Sequence, residues 1–321
     1  MEFTLAPLEG VTGHLYRNAH AACFGPADRY MTPFLSPTQS GVFSHRELRD
    51  VLPEHNEGLN VIPQLMANLG DNFIWAAREL QAMGYREVNL NLGCPSGTVV
   101  SKGKGSGFLA FPDRLDAFFD QVFSTLDMNV SVKTRLGKVS AEEFPALLEI
   151  FSRYPICELT VHPRIQTDLY RGTPDRDAFA LAVERCPFPL CYNGDIFTLR
   201  HLEEFSARFP SVDRVMLGRG LIADPALIRE LKGGSPATKE EMREFHDRLY
   251  AGYREILSGD RIILARMKEL WTYLIFSFTN WEEYRKPLRK ATRLSEYEEV
   301  VQALFTREEV LPAGQFEPAK L

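Results

Sequence analysis

The sequence predicts an α/β chain: a (β/α)8 TIM barrel followed by a small all-helical domain. Three observations lead there. Eight short apolar or β-branched runs recur between Glu2 and Leu217, each bounded by turn residues. Segments of helical periodicity separate them, which is the alternation of a parallel barrel. After Leu231 the run Lys232-Gly233-Gly234-Ser235-Pro236 reads as a linker, and the residues beyond it carry helix signals and no strand signal.

The expected strands are Glu2–Pro7, Arg29–Pro33, Asn60–Leu65, Glu87–Leu92, Asn129–Thr134, Cys157–His162, Pro189–Asn193 and Asp213–Leu217. They read as near-continuous apolar runs, the pattern of strands covered on both faces. Between them, Asp71–Met83 has apolar residues at Phe73, Ile74, Ala77 and Leu80, and Ser140–Phe151 opens with Ser140 and Glu143 spaced as a capping box. Beyond the linker, helices are expected at Lys239–Leu257 and Arg261–Phe278, with two shorter ones after Trp281. This divides the chain at 1–235 and 236–321. A doubly wound dinucleotide fold is the main rival, but Gly103-Lys104-Gly105-Ser106-Gly107 misses the G-x-G-x-x-G spacing and no Walker A motif occurs.

Composition bounds the function. At 321 residues, 45% hydrophobic and 25% charged, the chain can bury a full core, so disordered and fibrous classes drop out. The most hydrophobic stretch, Trp271–Phe278, is too short to span a bilayer, and no basic, apolar leader opens the sequence. A cytoplasmic protein with no membrane association is expected. The five cysteines, at 23, 94, 157, 186 and 191, are odd in number and form no C-x-x-C pair, so neither a disulfide framework nor a structural metal is expected. A net charge of −6 makes the whole chain a poor trap for polyanions. Locally the balance reverses: Arg261, Arg266, Lys268, Arg285, Lys286, Arg289, Lys290 and Arg293 face only Glu269, Glu282 and Glu283 between 261 and 293. No stable protein partner is predicted.

In such a barrel the active site lies at the carboxyl ends of the strands. Those ends carry Pro7 and Leu8, Gln64, Asn91 with Cys94, Lys133 and Arg135, His162 and Arg164, Asn193-Gly194-Asp195, and Gly218-Arg219-Gly220. Polar groups after buried strands cost desolvation unless they meet a ligand or each other. Glycine-containing turns at the last two ends suit a phosphate, with Arg219 as a bidentate partner. Lys133 supplies a fixed cation and His162 a donor, so the set suggests flavin mononucleotide (FMN), with Gln64 at a ring edge. Cys94 can serve as a general acid if protonated or a nucleophile if ionised, and Lys102 and Lys104 follow it in a glycine-rich loop that reads as mobile.

Six motifs occur in order: Ala6-Pro7-Leu8-Glu9-Gly10-Val11-Thr12, Asn89-Leu90-Asn91-Leu92-Gly93-Cys94-Pro95, Val132-Lys133-Thr134-Arg135-Leu136-Gly137, Val161-His162-Pro163-Arg164, Tyr192-Asn193-Gly194-Asp195-Ile196 and Met216-Leu217-Gly218-Arg219-Gly220. Together they resemble the tRNA-dihydrouridine synthase family across the barrel and into a helical tail. The resemblance implies an FMN-dependent enzyme that reduces the C5–C6 bond of particular tRNA uridines, with NADPH recharging the flavin. It implies Cys94 as proton donor to C5, while flavin N5 gives hydride to C6. Pro7, Leu8, Gln64, Lys133, His162, Asn193, Gly194, Asp195, Gly218 and Arg219 would contact the flavin, and Asn91 would lie near the uracil. Lys102, Lys104, Arg135, Arg164, Arg266, Arg285 and Lys286 would meet RNA. Leu8, Glu9 and Pro163 depart from the family pattern, and Pro163 removes an N–H. Two other readings fit the residues: a flavin reductase of a free pyrimidine or other small enone, and a catalytically silent RNA-binding protein.

Overall fold

The computed structural model describes residues 1–38 and 41–311; the last ten positions of the expected 236–321 domain lie outside them. Among the described residues there are nine strands: β1 Glu2–Leu5, β2 Arg29–Met31, β3 Val61–Ile62, β4 Gln64–Leu65, β5 Glu87–Leu92, β6 Asn129–Gly137, β7 Leu159–Ile165, β8 Leu190–Tyr192 and β9 Arg214–Leu217. They follow the order β3-β2-β1-β9-β8-β7-β6-β5-β4. Every predicted run is a strand. The ninth arises because Asn60–Leu65 is split at Pro63, which has no N–H to give the ladder. Since β3 and β4 are successive pieces of one stretch, the two ends of the sheet meet at Pro63, whose carbonyl accepts Asn89 N at 2.8 Å. The result is an eight-membered, nearly closed TIM barrel.

The strands are not uniformly apolar as expected. In β5 to β7 polar and apolar residues alternate: Glu87, Asn89 and Asn91 against Val88, Leu90 and Leu92; Ser131, Lys133 and Arg135 against Val130 and Val132; Glu158, Thr160 and His162 against Leu159 and Val161. The apolar set is at most 1% exposed. The polar set lines the barrel interior. Its lowest layer shows this, because Arg29 bonds both Glu87 (3.0 Å) and Glu158 (2.5 Å), and Arg214 bonds Glu158 (2.9 Å). The β2 and β7 strands are not neighbours in the sheet, so such bonds can only cross the lumen. Successive side chains alternate between faces, so the whole polar set points inward.

Helices Gly70–Ala82, Pro112–Thr125 and Phe144–Phe151 cover this part of the barrel. The first closely matches expectation. The last forms after a single 3-10 turn, Ala141–Glu143, and Glu143 accepts the Ser140 N–H at 2.9 Å as the capping box requires.

The described chain forms two compact units. The first comprises Met1–Pro7, Asp28–Asp195 and Phe205–Met216; the second comprises Leu8–Ala27, Ile196–Glu204 and Leu217–Leu321. In the second, helix His14–Phe24 packs on Lys239–Ile256, with Tyr16 and Phe24 edge-on to Phe245 at 5.4 and 5.3 Å. Helices Asp260–Leu274, Trp281–Lys290 and Leu294–Arg307 follow, as the periodicity predicts. Their core holds a polar network: Trp271 Nε1 donates to Tyr297 Oη at 2.7 Å, and Tyr297 bonds His246 Nε2 at 2.6 Å. Among the described residues no helix is long and apolar enough to cross a membrane.

Candidate active site

Within the first unit, the strand ends bring together Gln64, Asn91, Cys94, Lys133, Arg135, His162, Arg164, Asn193, Gly194 and Asp195. Asn91 shapes the loop after β5. Its Oδ1 accepts the N–H groups of Gly93 (3.0 Å) and Cys94 (2.9 Å), an Asx-type turn that places the cysteine. Asn91 Nδ2 donates to Gln64 Oε1 at 2.7 Å, and Gln64 Nε2 donates to Asn89 Oδ1 at 2.8 Å. The Gln64 amide is therefore largely committed to its neighbours, with a spare lone pair on Oε1.

Cys94 sits in a packed loop rather than a mobile one. Ser106 donates to the Cys94 carbonyl through N (3.1 Å) and Oγ (2.8 Å), and residues 105–109 are buried. Gly105 permits this: its φ is +56°, and a Cβ there would lie 2.8 Å from the Cys94 carbonyl oxygen. Burial pushes the Cys94 thiol up from its ordinary value, outweighing a backbone hydrogen bond at Ser96 and the charges of Arg135 and Lys133. The sulfur is thus a thiol at neutral pH. Lys102 and Lys104 follow, the first exposed and the second half-buried, neither in an ion pair among the described residues.

Lys133 projects from β6 beside Asn91 in register. Burial, then the Arg135 charge, push its ammonium down to about 8. Among the described residues it has no hydrogen-bond acceptor or carboxylate partner. Arg135 is 2% exposed; its Nε donates to Gly93 O (2.8 Å) and its Nη1 to Ile165 O (2.9 Å). It ties two strand ends together and leaves Nη2 for a ligand, so its expected contact with RNA narrows to one amino group inside the mouth.

The expectation that Arg164 reaches RNA does not fit its surroundings. It is 1% exposed and all five of its N–H groups are used: Nε to Arg171 O (3.1 Å), Nη1 to His162 Nε2 (3.2 Å) and Asp195 Oδ1 (3.3 Å), Nη2 to Gly172 O and Asp195 Oδ2 (both 2.6 Å). This fixes His162 as an acceptor at Nε2, with its proton on Nδ1. Burial, then Arg135, Lys133 and Arg164, hold the ring neutral, far below the usual histidine range; Asn193 also bonds it. Asn193 Nδ2 donates to Met216 O at 2.9 Å. Gly194 is required by space: a Cβ there would lie 2.1 Å from Tyr192 Oη.

Tyr170 is a site residue that the sequence patterns do not mark. It is 52% exposed, lies under the Arg135 guanidinium at 5.4 Å and stands edge-on to His162 at 6.2 Å. Its neighbour Leu169 has φ +55°, a strained conformation for a branched side chain. Strand periodicity cannot reach a loop residue; the available signal is an aromatic side chain in a polar, glycine-ended turn after a strand.

The second unit holds the remaining expected residues. Leu8 begins a turn in which its carbonyl accepts Val11 N and Thr12 N, both at 3.0 Å, while Pro7 ends the preceding segment of the first unit. Arg266 Nη1 donates to Gly10 O at 3.0 Å, so one amino group of this half-buried arginine braces that turn. Gly218 precedes the short helix Arg219–Ala223, and the Arg219 guanidinium lies over the Phe197 ring at 5.9 Å. Gly220 allows close packing, since a Cβ would approach Ile196 O to 2.7 Å. Arg285 lies over Phe276 and Trp281 at 5.7 and 5.8 Å, and Lys286 is exposed on the same helix. Among the described residues no cluster of three or more His, Cys, Asp or Glu could hold a metal ion.

A probable tRNA-dihydrouridine synthase of Staphylococcus aureus is 29% identical over 232 residues, covering 70% of this chain and 69% of that protein. One from Rickettsia conorii is 26% identical over 258 residues, covering 79% and 77%. Among solved structures, the old yellow enzyme from Trypanosoma cruzi matches with a TM-score of 0.51 at 11% identity over 80% of this chain and 94% of that one. A variant of NCR from Zymomonas mobilis matches with a TM-score of 0.51 at 17% identity over 76% and 90%. At such identities these two show the barrel fold. The pattern of the family described as Dihydrouridine synthase (Dus) matches residues 4–309, nearly the whole chain, and the protein belongs to that family.

Proposed function

We propose that the chain reduces the C5–C6 bond of uridines in tRNA, with FMN as cofactor, NADPH as reductant and Cys94 as proton donor. The observation that carries this is the pairing, after neighbouring strands, of a thiol kept protonated with an ammonium that lacks an acceptor among the described residues. A half-buried cation without a counter-charge calls for an electron-rich ligand. The Lys133 ammonium, the neutral His162 and the spare lone pair on Gln64 Oε1 are the partners a flat polar ring needs, so the residues fit a flavin. Lys133, His162, Asn193, the Gln64 lone pair and the Pro7 backbone would hold it, and Asp195 would act through Arg164. When bound, the flavin supplies the hydride.

The remaining chemistry belongs to the chain. Reduction of a uracil builds negative charge at its carbonyl and at C5, which a positioned acid must quench. Cys94 Sγ holds that proton, Asn91 fixes its backbone, and Arg135 Nη2 offers a charged donor to a carbonyl oxygen. A target base in folded RNA must be extruded to reach such a pocket, at a cost of a few kcal/mol that backbone contacts offset. For the second unit we propose phosphate recognition by Gly218 and Arg219, and RNA contact by residues 236–311, including Arg285 and Lys286; for the first unit, RNA contact by Lys102 and Lys104. The names of the relatives favour tRNA over a free pyrimidine as substrate.

Purified protein is expected to take up FMN and, with NADPH, to form dihydrouridine in unmodified tRNA but not to reduce free uridine. Lys133→Met removes the ammonium and should weaken FMN binding about tenfold or more, measured by flavin fluorescence titration. A protein that binds no FMN, or that reduces free uridine as readily as tRNA, contradicts the proposal.

A further inference from the structure

We infer that Asn89 is a positioning residue for Cys94, acting through Gln64 and Asn91. The four groups form part of a hydrogen-bond chain that runs in one direction through the barrel interior. Asn91 donates to Gln64 (2.7 Å), Gln64 to Asn89 (2.8 Å), and Asn89 Nδ2 to Ser131 Oγ (3.0 Å). Ser131 in turn bonds the Glu87 carboxylate, which is paired with Arg29 at 3.0 Å. Asn89 Nδ2 is given to Ser131 Oγ, which leaves the Asn89 oxygen for Gln64. That sets the orientation of every amide above it. The Asn89 oxygen must face Gln64, the Gln64 oxygen must face Asn91, and the Asn91 oxygen must face the N–H groups of Gly93 and Cys94.

Gln64, Asn89 and Ser131 are 0% exposed, so no water competes for these groups. The register places the three side by side on β4, β5 and β6. Without the Asn89 acceptor, the Gln64 amide loses the bond that fixes its plane and can swing its oxygen away from Asn91 Nδ2. Asn91 then has to turn as well, and the Cys94 amide loses its acceptor. Asn89 thus acts on the Cys94 backbone three hydrogen bonds away, with no contact of its own to the reacting atoms.

The consequence for turnover rests on the proposed role of Cys94; the consequence for the Cys94 loop does not. The test compares Asn89→Leu, Asn89→Asp and Ser131→Ala in the full chain. One readout is iodoacetamide alkylation of Cys94 against pH, followed by mass spectrometry of its peptide with neither flavin nor tRNA present. The other is turnover on tRNA.

Asn89→Leu is expected to speed Cys94 alkylation and to lower kcat, each about tenfold. Ser131→Ala should move both the same way by less. Asn89→Asp keeps the acceptor that orients Gln64, so it should restore the alkylation profile to within about twofold even though it places a second carboxylate above Glu87 and lowers stability. A purely structural role would make Cys94 reactivity follow stability across the three variants, which overturns the inference. So does an unmoved profile in folded Asn89→Leu or, should that variant not fold, in Ser131→Ala. Cys94→Ala separates the two claims: normal turnover there ends the proton-donor reading, while the alkylation profiles still decide Asn89.

Discussion

Arg164→Met is expected to destabilise the protein by about 3–5 kcal/mol, the usual effect of removing one partner from a buried ion pair. The loss is this large because the guanidinium serves four groups at once. Without it the Asp195 carboxylate loses the two hydrogen bonds Arg164 gives it, His162 Nε2 loses the Arg164 donor, and the carbonyls of Arg171 and Gly172 lose the tie that holds their loop to β7. The 171–172 backbone is the segment that carries Tyr170, so the loop loosens together with the strand ends. Chemical denaturation should show a lower midpoint, and FMN binding should weaken in parallel. Arg164→Lys is expected to recover little, since one ammonium cannot reproduce a planar fork that reaches two carbonyls, an imidazole and both carboxylate oxygens. A lysine variant with full stability and full flavin binding contradicts this account.

The second large effect is at Cys94. Cys94→Ala should lower turnover on tRNA about 100-fold or more, within the range for a lost general acid, while FMN binding and flavin reduction by NADPH stay near normal. The pH profile gives the sign. The reacting form is the thiol, so turnover is retained at neutral pH and falls as pH climbs through the thiol pKa. Because burial raises that pKa, the fall comes at higher pH than for an ordinary cysteine at about 8.5. Lys133 adds a second alkaline dependence: its charge is present below about 8 and lost above, so binding of an anionic ligand weakens over that range. The two are separable, since FMN affinity follows Lys133 alone, and the slow residual turnover of Cys94→Ala should lack the thiol limb. A profile whose rate rises with alkaline pH in the native protein marks Cys94 as a nucleophile instead.

Local pattern determined much of this protein. Eight strand runs, the capping box at Ser140 and the helices after residue 236 are visible in the sequence, because strand and helix periods and cap chemistry act over a few neighbouring residues. The polar strand ends mark the face that carries the site for the same reason. What the pattern also held, the alternation Glu87-Val88-Asn89-Leu90-Asn91, takes on meaning only when the barrel closes at Pro63 and one face becomes an interior shared by β2, β5, β7 and β9. Tertiary structure alone decided the roles of the arginines. Arg164, Arg135 and Arg266 look like RNA contacts as charges in a sequence, yet each gives at least one N–H to a partner far away in the chain: Asp195, Gly93 and Gly10 respectively. The physical reason is that a cation's function depends on which acceptors surround it, and those acceptors are brought to it by strands and loops that no local window contains.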